Sequence, residues 1–220
     1  MAKIICKDLV KDIKGHRVID GISLELSSGK IVGFKGINGS GKTMLMRLLS
    51  GLIGITEGSI AIDGKELGKD ITFPPSLGIL IENPAFLDSY TGFQNLKMLA
   101  AIKGEISDEK IAETIALVGL DPTDKKKYRK YSLGMKQRLG IAAAVMESPE
   151  IIILDEPTNA LDSSGVDMLK AILQKEKERG ALIVISCHDL AVLKELSDEI
   201  FVLETGKVVE HIADVKERAR

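Results

Sequence analysis

Gly36-Ile37-Asn38-Gly39-Ser40-Gly41-Lys42-Thr43 matches G-x-x-x-x-G-K-[ST], the spacing of a loop that cradles phosphates. The glycines let successive backbone N–H groups turn inward as an anion nest, without Cβ clashes. Lys42 is placed to reach β- and γ-phosphates, and the Thr43 hydroxyl to ligate magnesium. Further on, Ile151-Ile152-Ile153-Leu154-Asp155-Glu156 is an apolar run that ends in two carboxylates. This is the pattern of a buried parallel strand with chemistry at its carboxyl edge. Asp155 would complete the magnesium site, and Glu156 would polarise a water for attack on the γ-phosphate. Phosphate loop and acidic strand together point to a nucleoside triphosphatase that uses Mg²⁺.

Such a loop works only between a strand and a helix, and the flanks comply. Residues 30–34 are short and apolar like a strand, and residues 44–49 read as a helix whose positive end adds to the field on the phosphates. The alternation at 4–10 and 22–26, with Gly15 and Gly21 as turns, and at 58–62, predicts a small antiparallel β-layer beside the nucleotide. From about Pro84 to Glu147 the character is helical. Thr91-Gly92-Phe93-Gln94 has capping-box spacing, Ser107 opens a second helix that Gly119 ends, and 132–146 forms a return helix. The second half alternates strand and helix, with a strand over 181–185 and a helix capped within 164–167 and ended by Gly180.

A family emerges at Tyr131-Ser132-Leu133-Gly134-Met135-Lys136-Gln137-Arg138, which resembles the L-S-G-G-Q signature of ATP-binding cassette (ABC) proteins. Asn159-Ala160-Leu161-Asp162 resembles the family's D-loop, and Ser186-Cys187-His188-Asp189 its switch histidine. The elements occur in the family's order along essentially the whole chain, which is similar to the nucleotide-binding subunit of an ABC transporter. The resemblance implies an α/β fold with a RecA-like P-loop NTPase parallel-sheet core, an antiparallel β-layer and an inserted α-helical subdomain. It implies one ABC domain over residues 1–220, with 84–147 as the helical part and 1–83 and 148–220 as β-layer and core. It implies that two subunits close head to tail on ATP, with Gly36, Asn38, Gly39, Ser40, Gly41, Lys42 and Thr43 of one copy facing Ser132 and Gly134 of the other. His188 would contact the γ-phosphate and orient the attacking water.

Three departures stand out. Where relatives commonly carry a Q-loop glutamine, Gly78-Ile79-Leu80-Ile81-Glu82-Asn83-Pro84 offers Glu82, a hard-cation ligand expected near the metal with Thr43 and Asp155 and expected to couple it to a membrane partner. This segment, with Tyr-Ser-Leu-Gly-Met-Lys-Gln-Arg, resembles the branch that handles bacitracin and lantibiotics. Where many relatives stack an aromatic residue on adenine, this chain has Ile13, with His16 as a nearby imidazole, so adenine and guanine are both left open. The signature carries Leu133 and Met135 at positions usually held by glycine and glutamine.

A formal net charge of -2 gives no electrostatic case for nucleic acid as the partner. The two cysteines, Cys6 and Cys187, imply no disulfide framework and read as buried thiols. The basic run at 125–130 reads as solvated surface, and Met98, Met135, Met146 and Met168 as packing. No apolar run approaches the roughly 20 residues of a membrane helix, and the amino terminus is too short and charged for a signal peptide. The expectation is therefore a cytoplasmic subunit, peripheral on the inner membrane face through a multi-span permease on a separate chain. Phe86, Leu87 and Tyr90 are candidate anchors for that partner. An exporter of peptide antibiotics or other amphiphilic drugs, in which two identical ATPase copies act together, is the favoured function. A sensing module that reports antibiotic to a kinase is the alternative. Soluble ABC ATPases of translation or DNA repair fit less well, because they carry paired cassettes or a long coiled-coil insertion.

Overall fold

A computed structural model describes residues 2–187 and 189–215. Period-2 alternation in the first quarter of the chain produces β1 (Lys3–Ile13) and β2 (His16–Ser27). Their hairpin turns at Lys14-Gly15, both with left-handed φ (49° and 80°), as a tight two-residue turn requires. Gly21 differs from its expected place. It lies inside β2, where Val10 pairs with Asp20 and Leu9 with Ile22, so Gly21 is the unpaired residue of a bulge at φ 68°.

Next come β3 (Lys30–Lys35), α1 (Lys42–Leu49), β4 (Glu57–Ile62), β5 (Lys65–Glu66) and β6 (Leu77–Leu80). The helical stretch holds α2 (Gly92–Ala100), α3 (Asp108–Leu117) and α4 (Leu133–Val145). The chain then alternates through β7 (Ile151–Leu154), α5 (Ser163–Glu178), β8 (Leu182–Ser186), α6 (Leu190–Leu196), β9 (Glu199–Glu204) and β10 (Lys207–Ile212). One sheet is antiparallel, in the order β2-β1-β4-β5. The other runs β10-β9-β3-β8-β7-β6, parallel except for the β10 edge. This is the expected α/β architecture: a P-loop parallel core, an antiparallel layer and an inserted helical region.

Strands β7 and β8 are buried at every residue, as a parallel sheet covered on both faces demands. Their alternate residues serve two cores. Ile151, Ile153, Leu182 and Val184 pack with α1 and the β-layer. Ile152, Leu154, Ile183 and Ile185 pack with α4, α5 and the helical region. Helix α4 presses so closely on β6 that a Cβ on Gly78 would collide with the Ala144 carbonyl, and one on Gly140 would lie 2.8 Å from Pro84.

The caps follow the chemistry of the sequence with one correction. Thr91 and Gln94 form a reciprocal capping box on α2, and Ser107 and Ser132 cap α3 and α4. Helix α5, expected to be capped within 164–167, is capped by Asp162, whose Oδ1 accepts from the Gly165 N–H at 2.9 Å and the Ser164 hydroxyl at 3.0 Å. Ser164 is thus already in the first turn. Those two bonds, more than the neighbouring Arg138, hold the Asp162 carboxyl below its ordinary range.

Cys6 and Cys187 are buried free thiols, and burial pushes Cys6 up to about 12. In the basic run the aromatic Tyr128 is buried, while Lys125, Lys126, Arg129 and Lys130 are exposed. Of the methionines expected to pack, Met146 is buried, but Met98 is exposed. Among the described residues, no helix is long and apolar enough to cross a membrane.

Candidate functional site

The site is built where β3 ends and α1 begins. Gly39 and Gly41 take φ of 81° and 106°, which an L side chain adopts only with strain. Gly41 is the N-cap of α1 and contributes no side-chain bond, so the helix's first N–H groups are left for an anion. A Cβ on Gly36 would run into the Ser40 hydroxyl and the Leu203 carbonyl. The Lys42 ammonium is buried, and its partners among the described residues are two neutral carbonyls, Gly36 at 2.7 Å and Ile37 at 3.2 Å. A buried cation matched only by carbonyls, inside a nest of N–H groups, is chemically suited to a polyphosphate. The buried Ser40 hydroxyl also has no hydrogen-bond partner among the described residues.

Across the sheet crevice, the β3-β8-β7 order sets Asp155 beside the loop. Thr43 Oγ1 donates to Asp155 Oδ2 at 2.6 Å across 112 residues of sequence, and Ser186 Oγ donates to Asp155 Oδ1 at 2.5 Å. The Glu156 N–H donates to the same Ser186 hydroxyl at 2.9 Å. Ser186, the last residue of β8, therefore joins both carboxylate residues. In the sequence Ser186 stood only as the first residue of the segment that resembles the switch histidine, with no role of its own. Thr43 and Asp155 supply a hard-oxygen pair that fits Mg²⁺, an ion that takes few protein ligands and completes its shell from phosphate and water. Glu156 holds a left-handed φ of 51°, unusual for a non-glycine residue and typical of functional turns. It lines the same cavity of about 450 Å³ as residues 38–44, Arg17, Val18, Thr205 and Gly206.

Glu82 differs from expectation. Its carboxylate stands apart from Thr43 and Asp155 and pairs with Arg47 Nη2 at 2.7 Å, in the last turn of α1. The left-handed turn at Glu82 (φ 61°), just beyond β6, directs the side chain toward the Arg47 cation. Ser132 and Gly134 are not among the residues that line the cavity. Ser132 is exposed at the start of α4, with Oγ accepting from the Met135 N–H at 3.2 Å, and a Cβ on Gly134 would come within 2.9 Å of the Ala160 carbonyl. His188 lies outside the described residues. Ile13 and His16 do not line the cavity, whereas Arg17 and Val18 do.

A second link also went unread in the sequence. Gln137 on α4 donates to the Glu156 and Pro157 carbonyls at 3.3 and 3.1 Å, tying that helix to the turn that holds Glu156. Its neighbour Arg138 donates to the Val118 carbonyl at 2.8 Å and to Asp162 at 3.2 Å. Of the anchors expected for a partner, Leu87 and Tyr90 are exposed, while Phe86 packs edge-on to Tyr128 at 5.3 Å.

Comparison with known proteins agrees with this geometry. The family model described as ABC transporter matches residues 19–159. An uncharacterized ABC transporter ATP-binding protein of Bacillus subtilis, YybJ, is 49% identical over 91% of this chain and 92% of its own. The bacitracin transport ATP-binding protein BcrA of Enterococcus faecalis is 38% identical over 94% of this chain and 68% of its own. The lantibiotic transport ATP-binding protein SrtF of Streptococcus pyogenes is 35% identical over 92% and 87%. Among solved structures, the dimeric post-hydrolysis state of the cassette MJ0796 with ADP and Pi superposes at TM-score 0.87, with 24% identity over 96% of this chain and 98% of that one. The fold, the phosphate nest and these relatives together place the chain in the ABC transporter family, as an ATP-binding subunit of the branch that includes the bacitracin and lantibiotic transport proteins.

Proposed function

We propose that this chain binds ATP with Mg²⁺ in the cavity over residues 38–44 and hydrolyses it to energise an export permease on a separate chain. The observation that carries this reading is the pairing of an anion nest around Lys42 with Asp155 and Glu156 across the same crevice. Gly36, Asn38, Gly39, Ser40, Gly41 and Lys42 hold the phosphates through backbone N–H groups and one ammonium. Thr43 and Asp155 hold Mg²⁺, which when bound neutralises charge on the β- and γ-phosphates. Glu156 accepts a proton from the attacking water, and the Ser186 hydroxyl keeps its backbone in register with Asp155. His188 orients that water.

Ser132 and Gly134 stand apart from the chain's own cavity and serve a γ-phosphate held by a second, identical copy. Binding of ATP and closure of the two copies are then linked and reciprocal. The subunit works as one ABC domain at the inner face of the membrane, and its cargo is a peptide antibiotic or similar amphiphile, as the names of BcrA and SrtF suggest.

Glu156→Gln tests the catalytic assignment. Phosphate release is expected to fall by about 10²–10⁴-fold, the usual worth of a positioned base, while ATP still binds. ATP should then trap a dimer visible by size-exclusion chromatography. Turnover at the parental rate would remove Glu156 from the reaction.

A further inference from the structure

The cavity has an end that the phosphate chemistry does not use. It is formed by Arg17 and Val18 of β2 with Thr205 and Gly206 from the turn between β9 and β10. The loop meets this wall closely, since a Cβ on Gly41 would lie 3.1 Å from the Val18 carbonyl and 3.4 Å from the Gly206 Cα. A triphosphate whose γ end faces Glu156 and whose chain lies over the nest must leave its nucleoside beyond Gly41, against Val18 and Arg17.

Arg17 is held in an unusual way for a cation beside a polyphosphate. Nε donates to Asp12 Oδ1 at 3.1 Å and Nη2 to Asp12 Oδ2 at 3.4 Å, while Nη1 donates to Asp20 Oδ1 at 3.4 Å. Glu57 lies 3.9 Å from Nη2, and Lys207 steadies Asp20 from its other side at 3.1 Å. These bonds use three of the five guanidinium N–H donors, one on each nitrogen. The charge is matched by carboxylates and every nitrogen already donates once, so the flat faces are the main surface left for another group. Such a group is a weak phosphate clamp and a good stacking surface. The side chain is still 47% exposed, so a face is accessible.

We propose that Arg17, clamped by Asp12 and Asp20, is the platform on which the base of the nucleotide stacks. This assignment rests on the nucleotide reading of the same cavity. It gives the chain a base contact although Ile13 and His16 lie off the cavity wall. A face reads no hydrogen-bonding edge, so adenine and guanine are held alike.

The test is calorimetric titration of the purified chain with Mg·ATP, Mg·GTP and Mg·tripolyphosphate, the last having phosphates and no base. Arg17→Ala is expected to weaken ATP and GTP by about tenfold, the scale of one lost stacking contact. Tripolyphosphate affinity should stay at the parental value, which also verifies that the nest is folded. Arg17→Tyr should restore ATP binding, and Arg17→Lys, which keeps the charge without the plane, should not. If tripolyphosphate weakens in step with ATP, Arg17 is a phosphate contact and the proposal is overturned. Unchanged ATP affinity in Arg17→Ala overturns it as well. A parental chain that bound neither ligand would instead defeat the nucleotide reading beneath it.

Discussion

Ser186 carries more of the site's geometry than its type suggests. Fully buried, its hydroxyl donates to Asp155 and accepts from the Glu156 N–H, so one oxygen aligns the metal-side carboxylate and the strained turn that follows it. Ser186→Ala removes both the donor to Asp155 and the acceptor of a part-buried backbone bond, which costs about 1–3 kcal/mol. The expected result is a lower melting temperature with roughly a tenfold fall in hydrolysis, since about 1.4 kcal/mol on the barrier is one decade. The Mg²⁺ concentration for half-maximal activity should also rise. A purely structural serine would lower the melting point and leave the Mg²⁺ dependence where it was.

At the scale of elements, helix α4 is the piece that joins substrate chemistry to the helical region. Its amino end presents Ser132, its middle holds the Glu156 and Pro157 carbonyls through Gln137, and its far end lies against β6. The approach is close because Gly78 has no Cβ. Gly78→Ala drives a methyl into the Ala144 carbonyl, in a part of the fold where neither backbone can yield, and overpacking of this kind costs about 1–3 kcal/mol. Gly54→Ala is the matched control: its new Cβ meets nothing within 4 Å and its φ is not left-handed, so its effect should stay within about 0.5 kcal/mol. Chemical denaturation of both variants checks the contrast, and equal stability would mean that β6 and α4 are less tightly apposed.

For the molecule as a whole, the proposed permease needs a surface that responds to the state of the nucleotide site. A groove of about 320 Å³ lies between the end of β6 and the helical region, lined by Arg47, Ile81, Pro84, Phe86 and Leu99 among others. Glu82 stands at its margin, bound to Arg47 of the helix that follows the phosphate nest. Arg47 is 28% exposed and Glu82 60%, so solvent reaches the pair, its net worth is small and it can exchange for a partner's charge. This supports Glu82 as a coupling residue rather than a metal ligand. Glu82→Ala in proteoliposomes with the cognate permease should reduce the part of ATPase activity that the permease stimulates; an unaltered stimulation would remove Glu82 from that role.

Much of this was determined by the sequence alone. The nest from Gly36 to Thr43, the carboxylates after Leu154 and the capping box at Thr91 are local patterns, and their spacing dictates backbone geometry without help from distant residues. The alternation of strands and helices fixed the α/β class for the same reason. Tertiary structure alone decided the rest. Gly21 became a bulge because the β1 and β2 registers demand an extra residue there. Asp162 took the cap of α5 from Ser164, Glu82 turned to Arg47, and Arg17 reached the cavity wall while Ile13 and His16 did not. Each outcome depends on which strands lie side by side. The β3-β8-β7 order brings Thr43, Ser186 and Asp155 into one bonded group, although Asp155 is 112 residues from the first and 31 from the second, and no periodicity along the chain encodes that adjacency.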